Sequence, residues 1–148
     1  MKIYEVSDKK KYLDLLLIGD EQESMIYRYL DGGIMFVLDD GGIKGEAVVC
    51  DTGGGVAEIK NIAVLPEYRK CGYGKALIEF VCERYKKDFS VLRAGTGDSS
   101  LTVPFYEKCG FTRAHTVKNF FTDNYDYPII EGGVRLTDMV YFEKRLKQ

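Results

Sequence analysis

The residues best suited to chemistry form one short run, Arg69-Lys70-Cys71-Gly72-Tyr73-Gly74-Lys75, which leads into an apolar helical pattern. Glycines at alternate positions let a backbone approach a ligand with no Cβ in the way. At a helix start, unpaired N–H groups and the positive end of the helix dipole converge on an anion. Arg69, Lys70 and Lys75 add local positive charge to a chain whose formal net charge is −2. The same residues also describe a plain strand-to-helix turn with solvated basic side chains. Two phosphate-loop templates fail here. A Walker loop needs a glycine five residues before the Gly74-Lys75 pair and a Ser or Thr after it. Those positions hold Arg69 and Ala76. A dinucleotide fingerprint needs a third glycine where Leu77 stands, and it opens a βαβ unit early in the chain.

The elements that must position this loop read as follows. Residues 1–6 are predicted as a strand. Residues 8–18 and 20–30 have helical character, broken at Gly19-Asp20, and Met25, Ile26, Tyr29 and Leu30 make one stripe. Apolar runs at 34–38, 44–50 and 57–65 are joined by short glycine-rich links, which predicts three antiparallel neighbours. A helix is expected over 73–87, with Leu77, Ile78, Val81, Cys82 and Tyr85 on its buried face. A strand at 89–94 precedes a second helix at 99–109, which carries Pro104 in its first turn and closes at Gly110. Strands at 111–117 and 134–145 end the chain, separated by "NFFTDNYDYPIIEGG". The order is β-αα-β-β-β-α-β-α-β-β.

Composition bounds the rest. The 148 residues, 45% hydrophobic and 30% charged, fit a single globular domain over 1–148. The negative balance excludes a general nucleic-acid binder. The apolar run from Leu15 to Ile18 is too short for a membrane span or a signal-peptide core, so a cytoplasmic protein is expected. Cys50, Cys71, Cys82 and Cys109 are scattered, and the chain has one histidine, His115. Neither a disulfide framework nor a metal site is expected from that set. Cys82 reads as a core thiol, Cys71 as exposed and His115 as a strand-surface residue.

The segment "EIKNIAVLPEYRKCGYGKALIEFV" resembles the acetyl-CoA-binding segment of the GCN5-related N-acetyltransferase superfamily. "FYEKCGF", residues 105–111, resembles the later helix of the same family, which carries a tyrosine and ends in Gly-Phe. Two motifs in the right order are far more specific than a glycine pair. The resemblance implies an α/β acyl-CoA N-acyltransferase fold, with a mixed, mostly antiparallel central sheet and helices on both faces. It implies that Ile62, Ala63 and Val64 run along the pantetheine arm like another strand. The N–H groups of Lys70, Cys71, Gly72, Tyr73, Gly74 and Lys75 would hold the pyrophosphate beside Arg69, and Lys108 would meet a CoA phosphate. Ser99 and Thr102 stand where the family often has Asn and Ala. A coenzyme contact from Ser99 therefore competes with plain helix capping.

By the same resemblance, Glu58 is the first candidate for a general base and Tyr106 stands near the coenzyme sulfur. The bland alternatives are a surface carboxylate paired with Lys60 and a buried helix tyrosine. A lysine-like amine with a pKa of about 10.4 is almost wholly protonated at pH 7, so attack on a thioester needs a base. Proton transfer from a phenol of about 10 to a thiolate of about 8.5 is uphill by roughly 2 kcal/mol. A hydrogen bond to the thiolate therefore matters more than a delivered proton. A main-chain N–H near Val64 would polarise the thioester oxygen.

The acceptor is expected between the early helices and the last strands. Glu23 and Tyr27 on one side, and Phe121, Tyr125 and Glu131 on the other, mix carboxylates with rings, a combination that suits a cationic amine. The expected activity is acetyl transfer from acetyl-CoA to a small-molecule or peptide amine, without a metal. The alternative is a catalytically degenerate acetyl-CoA sensor. Monomer and homodimer both stay open.

Overall fold

The strands are β1 (Lys2–Val6), β2 (Ile34–Asp39), β3 (Ile43–Gly53), β4 (Val56–Val64), β5 (Val91–Gly97), β6 (Thr112–Val117), β7 (Ile130–Glu131), β8 (Val134–Arg135) and β9 (Met139–Arg145). Between them lie helices α1 (Leu13–Gly19), α2 (Glu23–Ile26), α3 (Tyr73–Tyr85), α4 (Val103–Lys108) and α5 (Phe120–Asn124). The computed structural model describes residues 1–146, so the last two residues of the expected domain lie outside it. Seven strands form one sheet in the order β1-β2-β3-β4-β5-β9-β6, and β7 and β8 form a separate ribbon. Every pairing in the large sheet is antiparallel except β4 with β5. A parallel pair needs a crossover, which α3 supplies.

Period-two alternation sends the strand side chains to two cores. Met35, Val37 and Val48 pack under Leu16, Ile26 and Leu30 of the α1–α2 segment. Phe36, Leu38, Ala47, Val49, Ile59 and Leu92 pack under Leu77, Ile78 and Val81 of α3 and under Tyr106 of α4. The helices thus cover both faces. The expected apolar face of α3 is buried at Leu77, Ile78, Val81 and Tyr85, while Cys82 is only partly covered. No helix among the described residues is long and apolar enough to cross a membrane.

The structure departs from the sequence reading in several places. The segment expected as helical over 20–30 is α-helical only at Glu23–Ile26 and continues in turns to Leu30. The predicted helix at 99–109 is helical only from Val103, because Ser99 and its neighbours form a turn in which the Leu101 N–H donates to Ser99 Oγ at 3.0 Å. The strand expected over 134–145 is split. Gly132 and Gly133 both take positive φ, as a two-residue hairpin turn demands, so Val134–Arg135 folds back on Ile130–Glu131. Inside 119–133 the short helix α5 forms, and Phe121, Ile129 and Leu136 make a small third core.

Glu46 belongs to the α1–α2 face of β3, between Val37 and Ala63 in register. It is 0% exposed, and neither carboxyl oxygen has a hydrogen-bond partner among the described residues. Burial pushes its carboxyl well above the ordinary range. A raised carboxyl contributes stability below its unfolded pKa, and that contribution is lost as pH climbs through the folded value. Glu46→Gln should therefore raise Tm over wild type at pH 8. The gap should close as pH falls toward about 4, and thermal scans across that range read it directly. A gap that widened at low pH would mean a charged, partnered carboxylate.

Candidate active site

The site begins with a register fault in β4. Val48 pairs with Asn61 but Val49 pairs with Ile59, so Lys60 is an extra residue. Such a bulge bends its strand and raises the local twist. β4 and β5 pair only from Val56 to Ile59 against Val91 to Ala94. Beyond Ile59, β4 stays with β3 to Val64, while β5 stays with β9 to Gly97. The two strands splay, and the β5-side edge of Ile62, Ala63 and Val64 is left without a strand partner. An extended amide-bearing arm could lie there as an added strand.

The loop before α3 supplies an anion cradle at the end of that edge. Lys70 and Gly72 both adopt left-handed backbone, with φ of 63° and 85°. None of the N–H groups from Lys70 to Lys75 has a partner among the described residues. The first paired one is Ala76, whose N–H donates to Gly72 O at 3.0 Å. Clustered free N–H groups in such a turn, at the start of a 13-residue helix, form an anion-binding nest. The Tyr73 hydroxyl donates to Asp40 at 2.7 Å, which ties the loop to the β2–β3 hairpin. Cys71 is exposed, as its place in the loop implied. Lys75 and Lys108 line a smaller pocket of about 260 Å³, together with Lys144.

On the other side of β4 lies a cavity of about 450 Å³, walled by α1–α2, β4, β9 and α5. Glu58, only 6% exposed, lines it and pairs with Lys60 at 3.0 Å. Asp20, Tyr29, Tyr125 and Tyr141 share the wall with Met25 and Met139. Asp20 accepts hydrogen bonds from the Tyr125 hydroxyl at 2.7 Å and the Tyr29 hydroxyl at 3.0 Å. Tyr29 in turn accepts from Asn61 Nδ2 at 3.1 Å. Burial raises the Asp20 carboxyl, and the tyrosine bonds partly oppose that rise.

Tyr106 of α4 is 5% exposed, with its ring stacked on Phe142 and edge-on to Phe105 and Phe111. Its hydroxyl has no hydrogen-bond partner among the described residues. Burial drives its pKa well up, with Cys109, Glu131 and Glu46 adding to the rise. Ser99 is buried and serves the turn before α4. Glu131, on β7, lies within electrostatic reach of Ser99, Arg69 and Tyr106.

Of the expected acceptor residues, Tyr125 lines the large cavity, and Glu23, Tyr27, Phe121 and Glu131 do not. Tyr27 is exposed and donates to Glu23 one helical turn away. Phe121 is spent on the third core. Sequence reasoning passed over Asp20, Asn61 and Lys60's role as the bulge. Asp20 read only as a helix break, and nothing local marks it as a partner of Tyr125, which is 105 residues away.

A strand edge opened by a bulge, a main-chain anion cradle at its end and a polar cavity across it define an acyl-CoA-dependent N-acyltransferase. Residues 31–113 match the family described as Acetyltransferase (GNAT) domain. YvbK, an N-acetyltransferase of Bacillus subtilis (strain 168), is 35% identical over 130 residues, 86% of this chain and 84% of that protein. A GNAT family acetyltransferase from Elizabethkingia anophelis, solved with acetyl-CoA bound, has a TM-score of 0.91 at 34% identity, over 98% of this chain and 97% of that one. The IAA acetyltransferase from Bacillus cereus ATCC 14579 has a TM-score of 0.92 at 32% identity, over 98% and 99% of the two chains. The chain belongs to the GNAT acetyltransferase family, and it is an N-acetyltransferase.

Gly72 and Gly74 make different demands. At Gly72 the space is open, but φ is +85°; at Gly74 an added Cβ would stand 3.0 Å from the Phe105 ring. Gly72→Ala should raise the KM for acetyl-CoA roughly tenfold, because about 1–2 kcal/mol of left-handed strain distorts the cradle. Its kcat should hold. Gly74→Ala should instead lower stability by about 1–3 kcal/mol through overpacking. Steady-state kinetics alongside thermal melts separate the two.

Proposed function

We propose that the chain transfers the acetyl group of acetyl-CoA to a primary amine by direct attack in a ternary complex. One observation carries this reading: the open edge of β4 runs from the unpaired N–H groups at Lys70–Lys75 to a cavity lined by Glu58. In this reading the N–H groups of Lys70, Cys71, Gly72, Tyr73, Gly74 and Lys75 grip the pyrophosphate. Arg69 and Lys108 add charge beside it. The edge of Ile62, Ala63 and Val64 pairs with the pantetheine arm, and a main-chain N–H there polarises the thioester oxygen. Ser99 shapes the approach through its turn.

The amine enters from the cavity side. Glu58, directly or through a water, takes the proton as the new C–N bond forms and the C–S bond breaks. Its ion pair with Lys60 orients the carboxylate and must loosen when the proton arrives. Tyr106 meets the departing sulfur. The reference gap between phenol and thiol is about 1.5 units, and burial of Tyr106 widens it. Its hydroxyl therefore donates a hydrogen bond to the thiolate, which later takes its proton from solvent. The acceptor is a small-molecule or peptide amine, and no metal enters the steps.

Tyr106→Phe leaves no group without its partner, so Tm should hold while kcat falls about 10- to 100-fold. Glu58→Gln should lower kcat by about 10²-fold or more, the range of a positioned base. Acetyl-CoA consumption against polyamines, aminoglycosides, amino acids and N-terminal peptides finds the acceptor and supplies the assay. Transfer to none of these, or an unchanged kcat in Tyr106→Phe, would sink the reading.

A further inference from the structure

The cavity's charges are not equally free. Glu58 is matched by Lys60 at 3.0 Å. Arg28 reaches Asn124 Oδ1 at 3.3 Å, and Asp51 is exposed at the rim. Asp20 is the exception. It is half-buried in the wall, has no cation within ion-pair distance among the described residues, although Arg28 acts on it from further away, and holds both oxygens on tyrosine hydroxyls.

Its orientation is fixed in one sense. The Tyr29 hydroxyl accepts from Asn61 Nδ2, so its own proton points to Asp20. A carboxylate has about four lone-pair positions, so the two tyrosine hydroxyls and the Gln22 main-chain N–H leave room for one more donor. The chain also delivers Asp20 to the right place. At Gly19, an added Cβ would stand 2.1 Å from Asn61 Oδ1 and 3.0 Å from the main-chain oxygen of Ile62. Only a residue without a Cβ lets α1 end this close to β4. The next residue, Asp20, therefore sits beside the strand segment assigned to the coenzyme arm. Tyr29, Tyr125, Tyr141 and Phe120 line the same space with rings, which favour a cation beside a carboxylate.

We propose that Asp20 docks the acceptor's ammonium group, and that the acceptor is a cationic primary amine with an apolar body. The proposal deepens the acyl-transfer reading and rests on it for the identity of the cavity. A half-buried carboxylate with no cation in contact carries a desolvation cost that an arriving ammonium offsets. Tyr29 and Tyr125 act as its clamps, and Asn61 links those clamps to β4.

The test is calorimetric titration of the CoA-loaded protein with phenethylamine and with its neutral counterpart 2-phenylethanol. Wild type should bind the amine at least tenfold more tightly than the alcohol. Asp20→Asn should bind both alike, while Tyr125→Phe, which removes a clamp and keeps the charge, should retain the preference. No preference in wild type, or a preference that survives Asp20→Asn, overturns the proposal. The wild-type comparison stands even if a variant does not fold. A wild type that shows the preference but acetylates no amine would instead overturn the acyl-transfer reading, because the titration needs no turnover.

Discussion

One residue too many in one strand organises this molecule. With Lys60 inserted, Glu58 and Asn61 fall on the same face of β4, opposite Cys50 and Val48, although they are three positions apart. A regular strand would have sent them to opposite sides. The same insertion ends the pairing with β5 and exposes the edge from Ile62 to Val64. The open strand edge, the polar cavity and the support for Tyr29 thus share one cause. Ile59, Ile62 and Val64 still pack against the core under α3, so the fault is absorbed without loss of that core.

The two sides of the site are built differently. Main-chain N–H groups of one loop form the cradle. The cavity is assembled from side chains of five distant segments, held by bonds that cross the fold. Tyr125 to Asp20, Tyr127 to the main chain of Glu21, and the Asp126 N–H to Gln22 join the segment after α5 to the loop between α1 and α2. That segment closes one wall of the cavity.

Local features were legible in the sequence and remote ones were not. The loop at 69–75 drew notice through Gly72 and Gly74, but only together with "FYEKCGF" downstream did it stand apart from a plain strand-to-helix turn. The α3 face followed from periodicity, since burial on one side writes a period into the chain, and the three antiparallel strands followed from the short glycine-rich links between apolar runs. The bulge left only a faint mark, the adjacent polar pair Lys60-Asn61 that breaks the alternation of "EIKNIAV", and a doubled polar residue in a short strand has other readings. Gly132-Gly133 is a hairpin turn in plain view, yet its strands are two residues long, too short for any period. Asp20 was invisible as a site residue because its partners Tyr29 and Tyr125 meet it only after folding.

The cradle's construction has a consequence for how such a protein diverges. N–H groups are common to every residue but proline, so substitutions between Lys70 and Lys75 that keep the loop's backbone, as changes at Gly72 and Gly74 do not, leave an anion cradle of this kind in place. The cavity has no such insurance, since its polarity is written in individual side chains. On the proposed reading, change in sequence can therefore redraw what the protein accepts while what it carries stays the same. A lineage of this fold would keep one donor and accumulate many acceptors.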